Sequence, residues 1–186
     1  MKISPTAIPY AKALFDLAKE RNELEAVMKD MQVIASISSS NKDFMMLLKS
    51  PIIHSDKKIK IIREVFRETT GVTTLTFLEI IIRKKREKFI PEIALAFQEL
   101  YQDYNNILVT HVKTAAPITT EIREEIIRIM KEHTSKTIEL EEEIDKDLIG
   151  GFVLNWKDKQ YDASILSQIN QLKKNVARIN LFVKKI

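Results

Sequence analysis

Apolar residues recur at intervals of three and four over roughly the first hundred residues of this 186-residue chain. Such spacing places apolar side chains on one face of an α-helix. It predicts six helices: one capped by Thr6, one over residues 23–38, a short one before Pro51, one capped by Ser55, and two more over 74–84 and 89–105. The expected fold is therefore mainly α, with an amino-terminal six-helix bundle.

The pattern changes after Asn105 and Asn106. Residues 107–115 are rich in β-branched residues and residues 137–144 alternate, which predicts two strands, and residues 152–156 are a third candidate. A helix capped by Thr119 or Thr120 lies between the first two. A last helix is expected after an Asp162 cap, with its apolar face formed by Ile165, Ile169, Leu172, Val176 and Ile179. The chain should thus divide near residue 106 into a bundle, 1–106, and a small α+β domain, 107–186.

Charge and composition exclude several classes of protein. The chain has 30 Lys and Arg against 26 Asp and Glu, a net charge of +4 spread over both halves, so neither half is a polybasic module. It has no Cys, which removes disulfides, thiolate ligands and cysteine nucleophiles. No apolar run approaches the roughly 20 residues that span a bilayer, and no signal-peptide stretch is found. We expect a soluble protein that stays in the compartment where it is made.

Residues capable of chemistry do not form a reactive pattern. His54, His111 and His133 lack metal-ligand spacing. The acidic run over residues 141–147 lacks the glycine and spacing of a calcium loop. Gly150 and Gly151 are not followed by the Lys and Ser or Thr of a phosphate-binding loop, so they favour a tight entry into a strand or close packing of two backbones. We expect no catalytic residues, no metal site and no cofactor.

A basic cluster joins the fifth and sixth helices: Arg83, Lys84, Lys85, Arg86 and Lys88. One interpretation is a nucleic-acid contact. The other is a solvated helix end, favoured by the helix dipole. Few aromatic residues accompany the cluster, which favours the second interpretation.

Two helices carry more apolar surface than one core contact requires. An arc of about 100–140° is enough for one packed face. Either both helices have neighbours on two sides, or each leaves an apolar flank uncovered and the two flanks form a groove for a helix of another protein. The first helix spans about 200° with Tyr10, Ala11, Ala13, Leu14, Phe15, Leu17 and Ala18, and the fifth about 220° with Leu75, Phe77, Leu78, Ile80, Ile81 and Ile82.

Three stretches of the sequence resemble the delta subunit family of bacterial F-type ATP synthases, which is similar to the mitochondrial oligomycin-sensitivity-conferring protein. They are residues 9–15, Pro-Tyr-Ala-Lys-Ala-Leu-Phe; Lys85-Arg86 with Pro91-Glu92-Ile93; and residues 144–152 followed by Asp162-Ala163-Ser164-Ile165. The resemblance covers the whole chain. One departure is Lys84-Lys85, where family members often carry Asn-Gly, and it bears on the local turn.

The resemblance implies a non-catalytic stator subunit of a rotary ATP synthase, which keeps the catalytic head from turning with the rotor during proton-driven ATP synthesis. The bundle would bind amino-terminal helices of alpha subunits between its first and fifth helices. The smaller domain would bind peripheral-stalk b subunits. The complex would place the chain at the cytoplasmic face of a bacterial inner membrane, as a peripheral component.

Site residues follow from this resemblance. The alpha-subunit groove is expected to contain Tyr10, Ala13, Leu14, Leu17, Phe77, Ile80 and Ile81, and the stalk-side motif Asp145, Gly150, Gly151, Phe152, Asp162 and Ser164. Leu14→Asp or Ile80→Asp should weaken head binding and leave the helical fold largely intact. The alternative function is an RNA-binding helical protein of the antitermination type, and an enzyme is more remote still.

Overall fold

The computed structural model describes residues 3–145, 148–157 and 159–173. The chain divides between Asn105 and Asn106 into two compact units. It is mostly helical, with a small mixed sheet in the second unit. Within the described residues, the first unit contains α1 (Ala7–Glu20), α2 (Leu24–Ser40), α3 (Lys42–Lys49), α4 (Ser55–Phe66), α5 (Val72–Arg83) and α6 (Ile90–Tyr104), with one 3-10 turn at Glu87–Phe89.

Helix α6 is the centre of the first unit, because both α1 and α2 pack along it. The Phe15 ring lies 5.8 Å from that of Phe97 and 5.6 Å from that of Tyr104. At the other end of the pair, the Ser4 amide donates to Glu92 Oε2 at 2.8 Å. These contacts show that α1 and α6 run in the same direction, with an apolar core between them.

Helices α1 and α5 end in the same way. After each, the chain takes one left-handed residue, Asn22 with φ 58° and Lys85 with φ 56°. Two backbone hydrogen bonds close each end, and after α5 they run from Lys85 N to Ile82 O and from Arg86 N to Ile81 O. This hydrogen-bond pattern is the Schellman motif. Glycine is the usual residue at the left-handed position, so Lys85 makes the turn despite its Cβ.

The start of α5 is held by a buried carboxylate on α2. Asp30 is 7% exposed. Its Oδ2 accepts from the Gly71 amide at 2.9 Å and from the Thr74 hydroxyl at 2.5 Å. It therefore pairs one of the backbone N–H groups that the first turn of a helix leaves without a partner. Thr6 and Ser55, in contrast, make no side-chain capping bond to α1 or α4, although the sequence predicts both as caps.

The second unit contains a four-stranded sheet in the order β2-β1-β3-β4. Its described elements are β1 (Ile107–Thr114), α7 (Thr120–His133), β2 (Thr137–Ile144), β3 (Phe152–Trp156) and β4 (Lys159–Asp162), and residues 165–173 are helical. Strands β1 and β2 are parallel, whereas β1 with β3 and β3 with β4 are antiparallel. The Thr119 hydroxyl caps α7, as the sequence predicts.

One face of this sheet packs on α7. Leu108 and Val112 of β1 lie in one core with Ile126 and Met130 of α7. The strand β4 was missed by the sequence analysis, because its four residues are all exposed and show no alternation. Val176 and Ile179, placed on the last helix by the sequence pattern, lie outside the described residues.

Asp30→Ala should destabilise the first unit by about 1–3 kcal/mol, because it leaves the Gly71 amide and the Thr74 hydroxyl without their acceptor. Urea unfolding followed by circular dichroism at the helix band measures this loss. Asp16→Ala, which removes an exposed carboxylate of α1, is the control and should change the free energy of unfolding by less than about 0.5 kcal/mol. Equal effects of the two substitutions would contradict the capping role.

Candidate functional site

The end of α1 meets the start of α5, and the two helices run in opposite directions. Where α1 ends and α5 begins, Arg21 Nη1 donates to Thr73 Oγ1 at 3.2 Å. The far end of α5 leads through a short turn into α6, whose first turn meets Ser4 ahead of α1. Helix α1 packs mainly on α6 and α5 mainly on α4, so the two helices touch little along their length.

Each of the two helices turns an apolar flank away from its own core neighbour. On α5 the opposite side is occupied by α4, where Arg63 Nε donates to Glu79 Oε1 at 2.6 Å. Phe77 is half-buried and Ile80 is 46% exposed. On α1, Tyr10 and Leu17 are half-buried and Ala13 is exposed. We give the name α1/α5 groove to the partly exposed surface of these five residues; Tyr10 and Phe77 also pack against the core of the first unit.

The two other residues expected in the groove lie beneath it. Leu14 and Ile81 are both 0% exposed and belong to the core of the first unit. Their helical positions are next to the flank residues, but their side chains lie in the hydrophobic core. Buried side chains offer no surface to a partner, and a charge at Leu14 would disrupt the core. The placement of Leu14 on an exposed flank is therefore wrong, and Leu14→Asp is now expected to disrupt the fold rather than to leave it intact.

The sequence analysis missed the polar residues that close one end of the groove. Thr73 accepts from Arg21 and donates to Glu23 Oε2 at 2.6 Å. Thr73 is 7% exposed and lies one turn before Phe77 on the same face of α5. The sequence does contain a signal for Thr73: it is a polar residue on a largely apolar helix face, which indicates a buried hydrogen bond. Asp30, between Val27 and Ile34, gives the same signal.

The stalk-side motif forms a compact junction in the second unit. Gly151 has φ 78°, and a Cβ there would lie 2.3 Å from the carbonyl oxygen of Ala163. The Ile165 amide donates to Gly150 O at 3.0 Å and the Ala163 amide to Phe152 O at 3.0 Å. Only glycine allows this approach of two backbones. Asp145 enters the same segment half-buried, its amide donating to Thr114 O at 2.8 Å.

The structure places the helix cap at Ser164 and not at Asp162, which the sequence predicts as the cap. Residue 164 directly precedes the helical residues 165–173, and its hydroxyl accepts from the Ser167 amide at 3.2 Å, so Ser164 is the cap. Asp162 Oδ1 accepts from the Ser164 amide at 2.9 Å. Hydrogen bonds from the Ser164 hydroxyl and amide lower the pKa of Asp162. Ser164 is 2% exposed, and both residues form hydrogen bonds within the junction.

The acidic run of β2 contacts histidine, lysine and arginine side chains of β1 and α7. His111 Nδ1 lies 3.0 Å from Glu141 Oε2, and Lys113 Nζ lies 3.1 Å from Glu143 Oε2. Both pairs join directly neighbouring residues of β1 and β2. Arg123 of α7 contacts Glu142 on the other face. Within residues 3–145, 148–157 and 159–173, no cluster of three metal-ligating side chains occurs.

The fold has a counterpart of known structure. A chain of the Toxoplasma gondii mitochondrial ATP synthase hexamer superposes with a TM-score of 0.70, covering 94% of this chain and 98% of that chain, at 20% sequence identity. At that identity the match supports the architecture only.

Sequence comparison decides the family. The model for the ATP synthase delta (OSCP) subunit matches residues 6–176. The ATP synthase subunit delta of Cytophaga hutchinsonii is 36% identical over 173 residues, 93% of this chain and 94% of that protein. The subunit of the same name from Clostridium botulinum strain 657 is 33% identical over 165 residues, 89% and 92% of the two chains. The chain belongs to the ATP synthase delta (OSCP) subunit family.

Membership in the delta (OSCP) family makes the chain a non-catalytic stator component of an F-type ATP synthase and a peripheral part of that complex. The sequence prediction of this role is confirmed, and nothing in the comparisons supports the RNA-binding alternative. Among the described residues, no helix combines the length and apolarity needed to cross a bilayer.

Gly151→Ala should destabilise the second unit by about 2 kcal/mol or more, since a Cβ meets the Ala163 carbonyl and alanine disfavours positive φ. The only Trp of the chain, Trp156, lies in β3, so its fluorescence during urea unfolding follows this unit. Glu139→Gln, at an exposed position of β2, is the control within the same unit. An unfolding midpoint shifted equally by both substitutions would contradict the junction.

Acid should weaken the same junction. A carboxyl whose folded pKa is lowered stabilises the fold above its unfolded pKa, and this stability is lost as the pH falls through the folded value. The Trp156 unfolding midpoint should therefore fall with pH below about 4. Asp162→Asn should lower the midpoint at neutral pH and flatten this dependence. Glu139→Gln, at an exposed position of β2, should leave it unchanged.

Proposed function

We propose that the first unit is the six-helix domain that binds the catalytic head and that the second unit, from residue 107, binds the peripheral stalk. The α1/α5 groove takes an amino-terminal helix of an alpha subunit. The second unit takes the carboxy-terminal ends of b subunits. The resulting link lies at the cytoplasmic face of a bacterial inner membrane, where the complex holds the chain as a peripheral subunit.

The accessible apolar lining of the α1/α5 groove is the observation that carries the proposal. Tyr10, Leu17, Phe77 and Ile80 all keep apolar surface outside the core of the first unit. Two neighbouring helices with such flanks form the type of groove into which an amphipathic helix lays its apolar face. Covering this surface is favourable by about 25 cal/mol per Å2 of apolar area before the costs of association.

A second apolar surface supports attachment of the stalk to the second unit. Ile149 is 65% exposed and directly precedes the Gly150-Gly151 turn. Ile165 is 43% exposed and meets Gly150 across the junction. Leu172 lies further along the same helical segment and is also exposed. The stalk-side motif thus acts by placing these apolar side chains, and its own residues need not touch the b subunits.

Two attachments by separate units suit a stator. A link that resists the torque of the rotor must dissociate slowly, and two weak contacts on one chain dissociate together far more slowly than either alone. Neither contact needs a reactive group, in agreement with the non-catalytic role of the family.

Ile80→Asp should weaken binding of a synthetic peptide copying the amino-terminal segment of the alpha subunit of the same organism. We expect a loss of roughly tenfold or more, because a carboxylate would be desolvated against the apolar face of the peptide. Isothermal titration calorimetry on the full chain measures the affinity, and circular dichroism checks that the helices remain.

Val65→Asp is the matched control, since Val65 of α4 has the same exposure as Ile80, 46%, and lies outside the groove. It should leave peptide affinity unchanged. Leu14→Asp should instead unfold the first unit, because Leu14 is fully buried. Unaltered affinity in the Ile80→Asp protein would refute the groove as the alpha-subunit site.

A further inference from the structure

The two flanks of the α1/α5 groove continue into charged residues. On α1 the series Tyr10, Ala13 and Leu17 advances by three and four residues and reaches Glu20 at the next step. On α5 the series Thr73, Phe77 and Ile80 advances in the same way and reaches Lys84. Residues at these intervals share one face of a helix. Glu20 and Lys84 are therefore extensions of the groove walls, and both are exposed.

The opposite directions of α1 and α5 place these two charges at opposite ends of the groove. Glu20 lies at the end where Arg21 reaches Thr73, and Lys84 lies at the other end, where α5 stops. Among the described residues neither side chain is in an ion pair. Each charge is thus available to a bound molecule.

Neighbouring charges reinforce this difference between the ends. Asp16, one turn before Glu20, is exposed, and Glu23 accepts from Thr73. Arg21 offsets one of these three carboxylates, and Lys19, also in the last turn of α1, is placed over the Tyr104 ring of α6. At the other end Lys84 is followed by Lys85 and Arg86, both exposed, whereas the nearby Glu87 is already paired with Lys58 at 2.5 Å. One end of the groove is therefore acidic and the other is basic.

We propose that this charge difference fixes the direction of the helix bound in the α1/α5 groove. The inference rests on the proposed function and adds the chemistry of the partner: an amphipathic helix with carboxylates in its first turn and basic residues in its last turn. Its amino end lies beside Lys84 and its carboxyl end beside Glu20, so the bound helix runs parallel to α1 and antiparallel to α5.

Two physical arguments support this direction. An apolar stripe fits an apolar groove in either direction with similar burial, so the distinction must come from the polar ends. Carboxylates at the amino end and cations at the carboxyl end also stabilise the partner helix itself through its dipole. The same arrangement of charges therefore favours both the helical form of the partner and one direction of docking. It also gives the basic cluster after α5 a role within the stator.

Two synthetic peptides with the same apolar face provide the test. The first carries Glu residues in its first turn and Lys residues in its last, and its twin carries these charges exchanged. Each bears a nitroxide label at its amino terminus, and amide signals of the full chain report which end of the groove the label approaches. The label of the first peptide should broaden signals around Lys84, and that of the twin signals around Glu20.

The double variant Glu20→Lys, Lys84→Glu should reverse the direction in which each of the two peptides binds. Lys60→Glu, Glu64→Lys is the control, because it exchanges two exposed charges of α4 and keeps the net charge. It should change neither direction nor affinity.

Labels that approach the same end in both peptides, or directions unchanged by the double variant, would overturn the proposal. The proposal would also be overturned if neither peptide bound the groove while the native alpha-subunit segment did, since the stated pattern of charges and apolar residues would then be insufficient for binding. If the native segment itself leaves the groove signals unperturbed, the proposed function fails instead.

Discussion

The hydrogen bonds of Asp30 determine where α5 begins, and the groove depends on that position. A carboxylate on α2 holds the Gly71 amide and the Thr74 hydroxyl, while the Schellman turn after Ile82 fixes the other end of α5. Contacts with α4 hold one side of the helix. A helix that is fixed at both ends and along one side can leave its remaining flank uncovered without moving, and a preformed flank avoids part of the ordering cost of binding.

Periodicity in the sequence predicted the helices of the first unit, because a face of apolar residues must be buried for each helix to be stable. It also showed that α1 and α5 have apolar residues over too wide an arc. It could not show which of these residues are covered. Leu14 and Ile81 differ from Leu17 and Ile80 only by a fraction of a helical turn, and the neighbours that bury the first pair come from helices distant in sequence.

Polar residues on apolar faces were the least predictable part of the site. Asp30, Lys58 and Thr73 interrupt otherwise apolar faces, and each is buried with partners far along the chain. Such pairings depend on tertiary geometry, which one sequence does not contain. In the second unit the two glycines were interpreted correctly as a close backbone approach, whereas the cap was assigned to Asp162 because the local spacing of Asp162 and Ser164 fits either residue.

A stator subunit needs contacts that are strong, specific and chemically inert, and the two units meet these needs with the same device. In each, buried polar groups set the backbone, as Asp30 does for α5 and Ser164 for the segment after β4. An apolar side chain on each anchored segment, Ile80 on α5 and Ile165 after Ser164, then remains exposed. Rigid placement of exposed apolar surface is costly for a free protein because it promotes association. Such placement fits the role that we propose, in which partners inside the complex cover this surface and the charged ends of the groove set the direction of the bound helix.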